Sequence, residues 1–584
     1  MARGTTSTNQ DFSGGILRPE LFIGILSSVT AQSVRLNLES GGAPSGVHFD
    51  GARYGIGEVG EFVLIEGQTA LLLGRMIEVR VPEQDRRKLD PSRNSSSLDA
   101  VGTIQLLGSV SMASLRVSAG VDGYPRLGDR VYAAPHQFIA DLPRLMEPEE
   151  RPGQVLINLG AVDGAADAEI SVKPEKLFGR HCAILGATGG GKSWTTARIV
   201  EECIRYRSKL VLLDATGEYR GFNGQFVTNV HLGVPVEVAQ GSISAELPAT
   251  SFSESDFIAL FEPAGKVQGP KLRSAIRSLR LAALKPEIAV SGLIVKADQP
   301  RAPFVEALRD SRIQAAIDDP TQPFDVLKLA RQIELECVYP HATRWVNKEK
   351  VQDTSHWGPE SGDFSFCLTL VGRINAIVSS PAFAPVFRPK GKSLTELTSE
   401  FMLSDARLFR VCLSGISYEY NAREIFANVI GRHLLLAARK GAFKAVPLVV
   451  IVDEAHNFLG RHIGGEDTVA RLDAFELVAK EGRKYGLTVC LTTQRPRDVT
   501  EGVLSQMGTL IVHRLTNDRD REVVERACGE IDRSASAFLP NLKPGEAAII
   551  GADFPIPLTI RISPPGVEPK SEGPSYQQHW RLPG

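Results

Sequence analysis

The stretch "GATGGGKS", residues 186–193, decides how the rest of the chain is read. It fits G-x-x-x-x-G-K-[ST] in full, with the apolar run "HCAILG" leading into it and "SWTTARIVEECIRYR" following. That order predicts a strand, a phosphate-binding loop and a helix. The chemistry requires these residue types. Glycines let the backbone wrap phosphates with its N–H groups turned inward, and the helix N-terminus adds positive potential. Lys192 is placed to reach the β- and γ-phosphates of ATP, and Ser193 to ligate Mg²⁺. Gly186, Thr188, Gly189, Gly190, Gly191 and Trp194 complete the expected nucleotide-binding set. A glycine-rich turn without a ligand is the plain alternative, and the flanking elements count against it. A dinucleotide fold would need G-x-G-x-x-G, which this turn does not supply.

Three further stretches fit a nucleoside triphosphatase. "PLVVIVDEAHNFLG" (447–460) ends an apolar strand in Asp453 and Glu454. An acid at such a strand tip holds Mg²⁺ through water, and a second acid beside it can polarise the attacking water. "LTVCLTTQRP" (487–496) ends another apolar strand in Gln494, where an amide can touch the γ-phosphate and that water. "LLDATGEY" (212–219) lies about twenty residues past the loop, the spacing of a ribose-binding acid, yet the complete phosphate motif removes that reading. Asp214 is instead expected at the end of the strand next to the phosphate loop, orienting Mg²⁺-bound water or Lys192, with Glu218 and Tyr219 further out to pass on a nucleotide signal. Arg483, Arg495 and Arg514 lie near predicted sheet edges; Arg483 is favoured as an arginine acting in a neighbouring site, although most arginines on such a helix face water.

Composition sets the frame. The 584 residues suggest more than one domain, and 43% hydrophobic with 23% charged residues is ordinary for a globular protein. No apolar run is long enough to span a membrane, and the polar start "MARGTTSTNQDFSGG" lacks a signal-peptide core, so a cytoplasmic location is expected. The seven cysteines form no CxxC pair and read as buried thiols. A net charge of −2 does not announce a nucleic-acid partner, but a ring can confine basic groups to a channel.

Along the chain, residues 1–14 read as a disordered leader and 15–165 as a β-rich small barrel, with short β-prone runs divided by Gly, Pro, Asn and Asp. "PEQDRRKLDPSRNSSS" (82–97) reads as an exposed loop. From 166 to 562 near-continuous apolar runs alternate with helical stretches, as in a parallel α/β motor. Residues 252–370 break that alternation and read as a mostly helical insertion. The Pro/Gly/Ser-rich tail 563–584 is expected to be extended and is a candidate brace for a neighbouring subunit.

Taken in order, "GATGGGKS", "LLDATGEY", "VDEAHNFLG", "EGRKYG", "TTQRP" and "VHRLTNDRD" resemble the HerA branch of the HerA–FtsK ATPases, over about residues 180–530. The β-rich segment is similar in pattern and position to that family's N-terminal barrel. The resemblance implies an α/β, RecA-like P-loop core in a homohexamer, with ATP sites at subunit boundaries and double-stranded DNA in the pore. Lys192 and Ser193 match the P-loop residues, Asp453 and Glu454 the metal and base acids, and Gln494 the sensor glutamine. Arg483 matches a candidate trans-acting arginine, and Asp214 and Glu218 the acidic element near the nucleotide. The family's usual proline in that element is replaced here by Ala215-Thr216. The resemblance further implies an effector partner docking on the barrel, either a nuclease or a sirtuin-like NAD-consuming protein, in antiphage defence or DNA-end processing.

The expected function is therefore an ATP-driven DNA translocase or helicase. "RPKGKS" (388–393) and "GRHIGGED" (460–467) are candidate pore loops, although either one alone reads more readily as an ordinary solvated turn. The competing reading is a nucleotide-gated scaffold that assembles and activates an effector without processive movement. A conjugation-type protein pump is disfavoured because no membrane anchor is visible.

Overall fold

The computed structural model describes residues 15–38, 46–81, 100–147, 153–163, 165–346, 348–459, 462–463, 470–527, 533–570, 576 and 580. The expected leader, the 82–97 loop and most of 460–467 lie outside the described residues. The chain divides into two compact units. The first is built from the chain up to Tyr206 together with Gln494–Arg497 and Leu504–Gly566; the second from Arg207–Thr493, Asp498–Val503 and the chain from Val567 onward.

The first unit opens with a closed barrel. Ser33–Leu38, Phe22–Val29, Arg130–Ala133, Phe62–Ile65, Leu71–Arg80 and Val101–Val110 pair in that order, and Val101–Val110 returns to Ser33–Leu38. Closure leaves no unpaired edge in the ring. Its interior holds Leu21, Ile23, Val34, Val63, Ile104 and Val131, all essentially buried. The wall is fastened to the rest of the unit through Arg75. Its guanidinium donates to Gly60 O (3.0 Å) and to Thr559 Oγ1 (3.0 Å), and lies 4.3 Å from the Phe538 ring centroid.

The β-rich reading of 15–165 needs two corrections. His136–Leu145 is a helix that buries Phe138, Ile139 and Leu142 on one face. Ile157–Val162 and Ala165–Val172 do not join the barrel. They form an antiparallel pair that continues onto Phe554–Ile562. Periodicity reports that a strand exists but not which sheet it joins, so the barrel-to-motor boundary falls before residue 157 and not at 165. From Phe554–Ile562 the order runs through Glu546–Gly551 to Met507–Val512, which pairs in parallel with His181–Leu185, the strand that feeds the phosphate loop.

The second unit carries an all-parallel sheet in the order Leu487–Thr493, Leu448–Val452, Leu210–Asp214, Leu408–Cys412, Val227–His231, Ile243–Ser244. The first four are the near-continuous apolar runs of the sequence, and nearly every residue in them is buried. Burial on both faces is what such runs require. The chain thus holds the parallel strands, the phosphate-loop strand and the loop's helix of a RecA-like P-loop ATPase fold.

Between residues 252 and 370 the chain is mostly helical, with helices at Glu254–Phe261, Gly265–Leu284, Ala302–Arg309, Ser311–Asp318, Leu329–Leu335 and Phe364–Ser379. A short antiparallel hairpin, Ala342–Val346 with Glu349–Asp353, interrupts them. The first helix starts at Ser253, whose N–H donates to the Asp256 carboxylate (2.7 Å). Among the described residues no single helix is long and apolar enough to cross a membrane. The six described cysteines are all buried.

Candidate functional site

The phosphate loop belongs to the first unit. Its strand, His181–Leu185, is wholly buried, and its helix, Lys192–Ile204, begins at the motif lysine. Gly191 has φ +113°, a conformation that L side chains rarely adopt. Gly186 approaches a neighbour so closely that a Cβ there would lie 2.6 Å from the Cβ of His513. Within the loop, Gly190 N–H donates to Ala187 O (3.1 Å), and Lys192 Nζ donates to the same carbonyl (3.2 Å). Thr188 Oγ1 donates to Gln494 Oε1 at 2.5 Å. The structure therefore brings the expected sensor amide to the phosphate loop. Ser193 is half-buried, while Trp194 is 38% exposed beside it.

His513, which the sequence reading passed over, lies beneath this loop. It follows the strand Met507–Val512 and is fully buried. Its Nδ1 is 2.8 Å from Glu546 O and its Nε2 is 2.8 Å from Thr195 Oγ1. A carbonyl only accepts, so Nδ1 carries the proton and Nε2 accepts from the Thr195 hydroxyl. Burial pushes the imidazole pKa down to about 4. The Glu546 bond opposes that shift and the Lys192 charge adds to it.

The acids belong to the second unit. Asp453 and Glu454 follow the strand Leu448–Val452, whose neighbours are Leu210–Asp214 and Leu487–Thr493. Asp453 is buried, and Thr492 Oγ1 donates to its Oδ1 at 2.6 Å. Desolvation and then the Asp214 charge push the Asp453 carboxyl pKa well above its ordinary value. Thr492 opposes this, and Glu454 and Glu218 add to it. Glu454 sits at φ +48°, ψ +46°, a left-handed conformation that costs a non-glycine residue on the order of 1 kcal/mol or more. Its carboxylate lies 3.3 Å from His456 Nδ1, and His456 Nδ1 is 3.2 Å from Thr493 Oγ1. The turn thus aims the glutamate at a defined angle.

Asp214 is not where the sequence reading put it. Its strand runs between Leu408–Cys412 and Leu448–Val452, not beside the phosphate-loop strand. Both carboxylate oxygens are already engaged. Oδ1 accepts from Gly217 N (2.7 Å) and Glu218 N (3.1 Å), and Oδ2 from Tyr219 N (3.1 Å). Arg410 closes the arrangement with Nε and Nη2 each 2.7 Å from Oδ2, in a pair that is 1% and 0% exposed. Five donors leave this carboxylate no capacity for Lys192 or a metal-bound water. Asp214 shapes the "ATGEY" turn instead, and Arg423 holds the same turn by donating to Ala215 O (3.2 Å) and Ser414 O (3.0 Å). Glu218 is presented by that turn. Its Oε2 is buried and accepts no hydrogen bond from the described residues, and its carbonyl accepts from Lys570 N of the tail (2.8 Å).

Arg410 and Arg423 were also missed. The available signal was an arginine inside an otherwise apolar strand, "LFRVCLSG". Arg483 is exposed in the turn Gly482–Tyr485, Arg495 is exposed, and Arg514 is exposed with Nε donating to Pro540 O (3.1 Å). Residues Arg388–Lys392 are exposed as well.

Residues 157–302 match the family model described as the central domain of helicase HerA. This stretch carries a HerA central domain. A probable helicase, MJECL08 of Methanocaldococcus jannaschii, is 22% identical over 414 residues, 70% of each chain. The DNA double-strand break repair helicase HerA of Pyrococcus furiosus is 36% identical over 118 residues, which span 20% of this chain and 21% of that one. The plasmid coupling protein TrwB in complex with ADP and Mg²⁺ is 14% identical, covering 74% of this chain and 93% of that one, with a TM-score of 0.43. The HerA central domain of this chain thus begins at the strand pair 157–172 and contains the phosphate loop and the "ATGEY" turn.

Proposed function

We propose that this chain is a HerA-family ATPase, an ATP-driven double-stranded DNA translocase that works as a homohexamer with a partner effector. The observation that carries the reading is the Asp453–Glu454 turn. A buried, over-charged carboxyl and a strained, His456-contacted glutamate follow a central strand in a chain that also holds a complete phosphate loop. In this reading Lys192 and the loop N–H groups hold the triphosphate, and Gln494 senses its γ-phosphate. Glu454 takes the proton of the attacking water, while its strained backbone and His456 fix its approach. Ser193 would ligate magnesium through its hydroxyl and Asp453 would support it through water, and the ion when bound would neutralise phosphate charge. The crowding of negative charge at Asp453 fits a cation. Among the described residues no three His, Cys, Asp or Glu side chains form a metal cage, in keeping with an ion that phosphates and water complete.

Hydrolysis would drive exposed loops along the phosphate backbone. Arg388–Lys392 supply such a segment, and binding through phosphates is salt-sensitive and indifferent to sequence. Arg483, exposed in its turn, is the proposed arginine acting on a neighbouring subunit's site. The barrel is the proposed docking surface for a nuclease or NAD-consuming effector. The test is Glu454→Gln: ATP binding is retained while DNA-stimulated hydrolysis falls by about 10²–10⁴-fold. Hydrolysis at the normal rate would overturn the assignment of the base.

A further inference from the structure

His513 is a buried titratable group for which the hydrolysis scheme has no use, yet three loop glycines face it. A Cβ on Gly186 or Gly190 would lie 2.6 or 3.4 Å from His513 Cβ, and one on Gly191 would lie 3.1 Å from its Cε1. The imidazole is therefore the floor of the phosphate loop. Its two nitrogens tie that floor at both ends. Nδ1–H donates to Glu546 O, where the strand Glu546–Gly551 begins, and Nε2 accepts a hydrogen bond from the Thr195 hydroxyl in the first turn of the loop's helix. Gly545 N–H to Gly190 O (3.5 Å) is the adjoining backbone link. A ring of this shape with one donor and one acceptor satisfies both partners; an apolar side chain of similar size would leave a carbonyl and a hydroxyl unpaired in a buried place.

We propose that His513 is a positioning residue for nucleotide binding: bridging Thr195 and Glu546, it holds the phosphate loop in the shape that receives a triphosphate. Being fully buried, it acts on the nucleotide only through the loop. The inference rests on the ATP reading of that loop. It assigns the ring to binding and not to the chemical step, because both of its bonds go to elements that shape the loop.

The test compares full-length variants by titration with a fluorescent ATP analogue and by steady-state ATPase kinetics. His513→Ala should weaken analogue binding and raise KM by about tenfold or more, with kcat changed less than about threefold. His513→Gln can still accept the Thr195 hydroxyl and should recover most of that loss. Thr195→Val keeps the shape without the donor and should weaken binding in the same direction. In the double variant Thr195→Val/His513→Ala the losses should not add, since the two residues share one bond. A folded His513→Ala protein with wild-type KM would overturn the proposal, as would a fall in kcat at unchanged KM. If His513→Ala does not fold, Thr195→Val decides, and unchanged binding there would be equally fatal. A wild-type protein that binds no nucleotide would sink the ATP reading itself; a wild type that binds while the variants bind equally well would sink this inference alone.

Discussion

The phosphate loop and the acidic turns solve opposite problems. The loop must stay ready for an anion, and it is held by neutral means. Glycines, one uncharged imidazole and a hydroxyl–amide contact from Thr188 to Gln494 fix its shape, and its one cation rests against a backbone carbonyl. The acidic region gathers Asp214, Glu218, Asp453 and Glu454; the buried Arg410 answers Asp214, and His456 lies beside Glu454. The first arrangement is satisfied before a ligand arrives. The second carries excess negative charge that a cation would relieve. The difference teaches that pre-organisation in this molecule has two forms: polar groups already paired, and charge deliberately left over.

The largest effect should come from removing the loop's cation. Lys192→Ala should lower ATP turnover by at least about 10²–10³-fold, measured as phosphate release at saturating DNA. An effector that remains fully active with that variant would favour the scaffold reading. The next effect concerns the acid that Arg410 neutralises. Arg410→Met leaves Asp214 buried with its charge unanswered, and should cost about 3–5 kcal/mol in chemical denaturation. Arg410→Met/Asp214→Asn should recover part of it. Equal stability of Arg410→Met and the wild type would show that the "ATGEY" turn does not depend on the pair.

A smaller effect separates the neutral loop from the charged turns by pH. The His513 pKa is about 4 in the fold and 6.5 ordinarily. The unfolded chain takes up that proton first as pH falls. The stabilisation is fully present above pH 6.5 and is lost progressively towards pH 4, by up to about 3 kcal/mol. His513→Gln should lack this part of the acid sensitivity, read from unfolding midpoints across that range. The smallest effect lies at Asp453. With magnesium chelated, Asp453→Asn should be more stable than the wild type by about 1–2 kcal/mol, because a buried, crowded charge is removed while Thr492 keeps an acceptor. Added magnesium should narrow that gap. A less stable Asp453→Asn protein would show that the acidic cluster is not over-charged.

What the sequence could and could not reveal follows the same division. The placement of Lys192 and Ser193 at the start of the loop's helix, and of Asp453, Glu454 and Gln494 after apolar strands, was legible because the motif and the apolar runs fix those elements; the roles proposed for these residues come from phosphate and water chemistry. The barrel strands and parallel strands were legible because burial imposes a period or a run. The partners were not. Asp214 looked like a metal or lysine contact because its place on the strand was visible while Arg410, about two hundred residues later, was not. Residues 157–165 looked like barrel because a strand's pattern is the same whichever sheet accepts it.

The sequence by itself thus determined the kind of chemistry, since motif residues carry their function in their own side chains and local spacing. The tertiary structure alone decided which buried groups answer one another: Arg410 with Asp214, His513 with Thr195 and Glu546. Those pairings depend on strand order, which brings distant segments to one place. Burial then makes each unpaired partner costly, so what surrounds a buried group, and not its position in the chain, sets what it does.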